Sequence, residues 1–441
     1  MGIENNKMPS GISYIVGNEA AERFSYYGMK AILFTFMTQY LLDGNGTEDF
    51  MTATEANKWI HTFGASVYLF PILGALVSDI FWGKYRTIII LSILYCAGHI
   101  ALAMNETRFG LSMGLTMIAI GSGGIKPCVS AHVGDQFTSG NKHLLERVFS
   151  YFYIAINVGA AISSILTPIL LREFGAWLAF GLPGGLMIIA TFLFWVGRKD
   201  FIAIEPVGWK TYVKTVFTKE SLQVIKKLSI VYLFISVFWA LFDQTASSVI
   251  NQAGNPLVNR ATGIFNWIIL PDQVQALNPV LVLILVPLFS LVVYPYLSKK
   301  INLTPIKKIT IGMFIAGFSF LILVFIQSKI EQGMEVTIYW QFLSYLILTV
   351  AEVMVSVTAL EFSYTQAPLV MKSLIMGLYL LSVSLGNVIT AGFNWFIQDE
   401  TGNSTLSQLE YFGFFTILMF VTAVIFVFVG KNYKAKTYVY D

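Results

Sequence analysis

The sequence predicts an all-α integral membrane protein of twelve transmembrane helices, arranged as two six-helix bundles. Three observations carry this reading. Of 441 residues, 56% are hydrophobic and 12% are charged, about half the charged share of a soluble domain. The apolar residues fall in runs of about 20 or more, the length that crosses a ~30 Å hydrocarbon core. One long polar stretch, 198–227, divides those runs six and six. So much apolar surface excludes a disordered chain and argues against a soluble globular enzyme. Lipid makes each crossing segment satisfy its own backbone hydrogen bonds, so helices are the default. The ~10-residue alternating segments of a membrane barrel do not occur.

Apolar runs read against charged breaks give the elements in order. The first span, 13–42, follows a polar stretch, Met1 to Ser10, without a basic lead into a cleavable apolar core, so it is expected to be retained. Asp43, Glu48, Asp49 and Glu55 break the chain before span 56–82. A short turn through Gly83, Lys84 and Tyr85 leads into 86–104, and Glu106 and Arg108 precede 109–134. Asp135, Lys142 and Glu146 separate that run from 147–171, and Arg172 and Glu173 precede 178–197. The linker carries Arg198, Lys199, Lys210, Lys214, Lys219, Lys226 and Lys227. Within it, 206–222 reads as an amphipathic surface helix with Trp209, Tyr212, Val216 and Phe217 on its apolar side. The second half repeats the scheme with 228–250, 276–298, 306–328, 336–365, 373–398 and 408–430. The expected domains are 1–197, the linker 198–227, and 228–441. Runs longer than the core requires imply tilted or projecting helices.

Charge fixes the expected orientation. With the N-terminus cytoplasmic, that side holds 20 of the 28 basic and 8 of the 25 acidic residues; the far side holds 5 and 12. Basic loops stay on the cytoplasmic side, so both termini are expected there. Cys96 and Cys128 lie inside apolar runs and form no disulfide framework or metal-ligand spacing. Gly121-Ser-Gly-Gly lacks the Lys-Ser/Thr ending of a phosphate loop. No catalytic triad is apparent, so the chain is not read as an enzyme.

Eight ionisable residues fall inside the spans: Glu19, Glu22, Arg23, Lys30, Lys126, Asp243, Glu352 and Glu361. Each costs at least ~2.5–3.5 kcal/mol at the bilayer centre, so a chain keeps it only paired, wet or functional. In the first span Glu19 and Arg23 are i,i+4 neighbours, as are Glu22 and Tyr26, while Lys30 lies two turns beyond Arg23 on the same face. This is either a self-neutralising structural network or a proton-carrying carboxylate beside an anion-binding guanidinium.

The longer strings carry a resemblance. Glu19-Ala-Ala-Glu22-Arg23-Phe-Ser-Tyr26-Tyr27-Gly28 resembles the Glu-x-x-Glu-Arg motif of the proton-dependent oligopeptide transporter family, within the major facilitator superfamily. Gly121 to Phe137, Phe149 to Gly159 and Leu360 to Pro368 are similar to further signatures of that family, in order along the chain. Gly74-Ala-Leu-Val-Ser-Asp79-Ile-Phe-Trp-Gly83-Lys84-Tyr85-Arg86 resembles the superfamily's loop between spans 2 and 3.

The resemblance implies a proton-coupled symporter that imports di- and tripeptides by alternating access. It implies that Arg23, Lys30 and Lys126 hold the peptide carboxylate and Glu352 its ammonium. Tyr26, Tyr27, Tyr68, Asn157 and Asn278 match positions lining the family's site, and Trp239 and Tyr379 are expected as aromatic walls. Proton coupling falls to Glu19, Glu22, Arg23, Glu352 and His61, a histidine that resembles the one required in animal members. No cofactor is expected beyond the proton. The expected partners are the peptides and the bilayer, with no nucleic acid and a functional monomer, in the plasma membrane or a bacterial inner membrane. Lys227 matches the basic member of a family gate pair, while Ser290 stands where its acid would be. The alternatives are a transporter of another small anion such as nitrate, and a peptide sensor that does not transport.

Overall fold

A computed structural model of the protein describes residues 8–137, 141, 144–216, 218–263, 267–366 and 372–433. The architecture of the described residues is mainly helical. Helices α1 (Ile12–Gln39), α2 (Ala53–Val77), α3 (Lys84–Met104), α4 (Arg108–Asp135), α5 (Leu145–Phe174) and α6 (Ala176–Val196) make the first half. The short α7 (Trp209–Val216) follows. The second half contains α8 (Lys219–Phe242), α9 (Ser248–Ala253), α10 (Leu277–Leu288), α11 (Tyr294–Ser298), α12 (Pro305–Glu331), α13 (Tyr339–Glu352), α14 (Thr358–Gln366), α15 (Lys372–Phe396) and α16 (Gln408–Asn432). Among the described residues, ten segments are long and apolar enough to cross a membrane. The other two long helices, α1 and α4, have 28 residues each, about 42 Å at 1.5 Å per residue. They are less apolar because α1 carries four ionisable residues and α4 carries Gly121 to Gly124 and Lys126.

Local chemistry sets the helix ends. Thr107 caps α4 by accepting from the Gly110 amide, and Thr304 caps α12 ahead of Pro305. Ser407 and Glu410 form a capping box on α16. Gly83, at φ 74°, makes the turn between α2 and α3, where a Cβ would be strained. The glycine run of α4 serves close packing: a Cβ on Gly74 would collide with the Gly124 backbone, and one on Gly124 with Leu91.

Several membrane segments are irregular. A π-helical turn, Ser78–Trp82, ends α2, and two more follow α10 at Phe289–Val293 and α13 at Val353–Val357. The last two meet in a buried cluster of Leu285, Phe289, Val353 and Met354. The segment Ser221–Ala253 is interrupted by a 3₁₀ turn, Asp243–Ala246, before α9. The following loop takes part in two two-residue ladders. Val258–Asn259 runs parallel to Val336–Thr337, and Ala261–Thr262 antiparallel to Trp267–Ile268.

The expected amphipathic helix 206–222 is shorter than the sequence suggested. It spans only Trp209–Val216, and Lys219 already begins α8. Tyr212 is half-buried and Val216 buried, as i,i+4 spacing allows, but Trp209, which i,i+3 and i,i+7 spacing puts on the same face, is 58% exposed. Phe217 is outside the described residues, as are Ala367 and Pro368 of the fourth motif.

Contacts group the chain into two compact units. One gathers the described residues of Met1–Ile32, Tyr40–Phe50 and Ser66–Thr218; the other gathers those of Leu33–Gln39, Met51–Ala65 and Lys219–Asp441. His61 therefore belongs with the helices of the second half.

Candidate functional site

In the first unit, i,i+3 and i,i+4 spacing on α1 turns the predicted charges onto one buried face. Glu19 is 2% exposed and Glu22 fully buried. Arg23 Nε donates to Glu19 Oε1 at 2.7 Å and lies 3.3 Å from Glu22 Oε2. Ser122 of α4 donates to Glu22 Oε1 at 3.1 Å, so Glu22 is fixed from a second helix. Glu19 Oε2 has no hydrogen-bond partner among the described residues.

Lys126 comes to the same region from α4. Its Nζ stands 4.1 Å from the centre of the Tyr26 ring and 4.9 Å from that of Tyr68. It is buried, with no hydrogen-bond partner among the described residues. Ring faces stabilise a desolvated ammonium but leave its N–H donors unused. Tyr27 packs edge-on against Tyr26, at 5.4 Å. Lys30 is half-buried further along α1. Asn157 is buried, and its side-chain amide donates to Tyr153 O of its own helix at 2.9 Å. Near the end of the unit, Lys84 of the loop motif pairs with Asp135 of the long α4 signature at 2.6 Å.

In the second unit, Asn278 at the start of α10 donates to Glu352 Oε2 at 2.6 Å and to Thr349 Oγ1 at 3.2 Å. Glu352 is the last residue before the π turn Val353–Val357, and the Tyr379 hydroxyl reaches Ser356 Oγ within that turn at 3.1 Å. Asn278, Glu352 and Tyr379 are thus gathered around one irregular turn. Trp239 sits apart from these contacts, packed edge-on against Phe238 and Phe242 at 5.3 Å each. Lys227 and Ser290, the gate-pair positions, are both exposed.

His61 anchors a third group, fully buried. Its Nδ1 is 2.9 Å from Asn387 Oδ1, and its Nε2 is 3.0 Å from Ser247 Oγ. Asn387 Nδ2 in turn donates to Asp243 at 2.6 Å. Of these partners, only Asp243 carried a signal in the sequence, its charge inside a span. Ser247 and Asn387 are polar residues of a kind common between packed helices, and nothing in their spacing marked them.

A family model described as "PTR2: POT family" matches residues 85–227 and 205–407. Solute carrier family 15 member 1 of Rattus norvegicus is 36% identical over 74% of this chain and 53% of its own length. Solute carrier family 15 member 2 of Homo sapiens is 36% identical over 74% and 50%. The chain therefore spans about half the length of the curated relatives it matches. Among solved structures, an auto-inhibited POT family peptide transporter superposes with a TM-score of 0.88 at 30% identity, covering 98% of this chain and 99% of that one. Another POT family transporter gives 0.86 at 32%, covering 97% and 98%. With its helical membrane fold and its ordered motifs matched along most of its length, the chain belongs to the POT family of transporters.

Proposed function

We propose that the protein is a proton-coupled symporter of di- and tripeptides. The observation that carries this reading is Lys126: a buried ammonium over two tyrosine rings, its donors unused among the described residues, in the unit that also buries Glu19 and Glu22 beside a half-buried Arg23. A buried cation with spare donors calls for an anionic ligand group. A free peptide supplies a carboxylate at one end and an ammonium at the other. In this reading Arg23, Lys30 and Lys126 take the carboxylate, and Glu352, oriented by Asn278, takes the ammonium. Tyr26, Tyr27, Tyr68, Asn157, Trp239 and Tyr379 bound the space between.

Coupling follows from competition for Arg23. While Glu19 and Glu22 are ionised, they hold the guanidinium. Protonating one of them weakens that hold and frees Arg23 for the peptide carboxylate, so proton and peptide bind together. His61 is the second proton site. The two halves of the chain, 1–197 and 228–441, rock about the loaded site. The basic side, with both termini, faces the cytoplasm, and the protein works as a monomer in the plasma membrane or a bacterial inner membrane.

The test is uptake of a labelled dipeptide into liposomes under an inward proton gradient. Accumulation above equilibrium that collapses with a protonophore supports the reading. Binding without accumulation favours a sensor, and competition by nitrate but not by a second dipeptide favours another anion.

A further inference from the structure

A cavity of about 280 Å³ lies in the second unit, apart from the residues assigned to peptide above. Its buried wall includes Asn57, Ser248, Asn394 and Tyr411. Asn403, which is exposed, and Ser404 and Asn251, which are half-buried, lie toward the surface. No charged side chain lines it among the described residues.

The wall holds acceptors that lack donors. Asn394 spends its amide hydrogens on Thr390 O at 2.8 Å and Tyr411 Oη at 3.0 Å, which fixes its orientation. Its Oδ1 is buried with no partner among the described residues. Asn57 donates to Ser248 Oγ at 3.1 Å, and its Oδ1 is likewise unpartnered. A roomy, uncharged cavity with unmet acceptors is filled by water.

Two residues of the cavity wall adjoin the His61 group along the chain. Asn57 is one helical turn before His61, and Ser248 follows Ser247, whose hydroxyl meets His61 Nε2. Asn387 settles the tautomer. Because its amide nitrogen donates to Asp243, its oxygen faces the ring, so His61 Nδ1 carries the hydrogen and Nε2 is the basic nitrogen. The basic nitrogen is therefore on the side of Ser247.

We propose that this cavity is a water-filled antechamber that delivers protons to His61 Nε2 by a route separate from the peptide's. The inference rests on the proton-coupled reading above. In the transfer, a hydronium in the cavity, relayed by water, gives a proton to Ser247 Oγ as that oxygen passes its own to Nε2. In the first exchange a hydronium O–H bond breaks as a Ser247 O–H bond forms; in the second the original Ser247 O–H bond breaks as the His61 Nε2–H bond forms, leaving water, a neutral serine and an imidazolium. The charged group facing that imidazolium is Asp243, through Asn387. Lys58 on His61's own helix is engaged by Gln398 at 2.7 Å. Asp399 and Glu410 are exposed in the loop and at the cap of α16.

The test places a removable plug in the folded protein. Ser404→Cys is reconstituted and treated with a bulky disulfide-forming reagent; the native Cys96 and Cys128 are buried. Modification should slow proton-driven uptake about tenfold or more, leave peptide exchange at equal pH within about twofold of its starting rate, and be reversed by reductant. Unslowed proton-driven uptake in the fully modified variant would overturn the antechamber, as would equal loss of exchange, which would put the cavity on the peptide route. Absence of accumulation by the unmodified protein would instead overturn the coupling reading itself.

Discussion

Glu19 and Glu22 share Arg23 but differ at Oε1: that of Glu22 accepts the Ser122 hydroxyl and that of Glu19 the Arg23 guanidinium, while each keeps an Oε2 without a hydrogen-bond partner among the described residues. Glutamine at either position keeps size and removes the titratable site. Only a proton affinity that differs between states can bias a transport cycle. At least one of Glu19→Gln and Glu22→Gln should therefore lose pH-driven accumulation while retaining peptide-for-peptide exchange in preloaded liposomes. The two-ended grip makes a separate prediction. Amidating the C-terminus or acetylating the N-terminus of a dipeptide should each remove one charge-assisted contact, about 1.5–3 kcal/mol, read as weaker competition for uptake. At this scale the α1 cluster was legible because its members lie three or four residues apart in sequence. The His61 group was not, since Asn387 and Ser247 reach it through tertiary packing that no local spacing encodes.

Close packing of α4 against α2 and α3 depends on glycines whose Cβ positions are already occupied, Gly74 by the Gly124 backbone and Gly124 by Leu91 of α3. Gly124→Val should overpack that contact and cost about 1–3 kcal/mol, seen as a lower unfolding temperature in detergent. Gly134→Ala, with nothing within 4 Å of the added carbon, should leave that temperature unchanged or raise it, since alanine is the better helix former. Span positions were readable from hydropathy because burial in lipid is a property of the run as a whole. The breaks inside the spans were not. A π turn adds a single residue and leaves the run apolar, and the 3₁₀ turn at Asp243–Ala246 is held by packing around His61. The amphipathic linker helix was legible as a pattern but not in extent, because α8 extends back to Lys219 and shortens it.

Orientation and acid tolerance belong to the molecule as a whole. Lys210 and Glu400 are both exposed and were assigned to opposite sides of the membrane by the distribution of basic residues. In intact cells an impermeant thiol reagent should label Glu400→Cys and spare Lys210→Cys. Two loops on the acidic side share one arrangement: Asp43 accepts from the amides of Asn45 and Thr47, and Asp399 from those of Thr401 and Asn403. Hydrogen bonds from the Thr47 and Thr401 side chains, together with those amides, hold both carboxyls below the ordinary aspartate value of 3.8. A depressed pKa gives stabilisation that is present above the unfolded value and lost as pH falls through the folded one. The loops should therefore stay locked at mildly acidic pH. Intrinsic-rate-corrected hydrogen exchange at Thr401 and Asn403 should match between pH 7 and pH 5. The helical membrane fold could be reasoned from charge and hydropathy alone, whereas the grouping of residues 51–65 with the unit that gathers Lys219–Asp441 is a tertiary fact with no sequence signature.

The wide turn after Glu352 holds one residue more than an α-helix requires. Ordinarily a lost residue swings everything downstream by about 100° at 3.6 residues per turn. Removing one from Val353–Val357 would instead absorb the surplus, with Tyr339–Glu352 and Thr358–Gln366 still facing their present neighbours. Chain length is a tolerant variable at that point, and the casualty of a shortened chain would be the latch between Ser356 and Tyr379 while the scaffold survives.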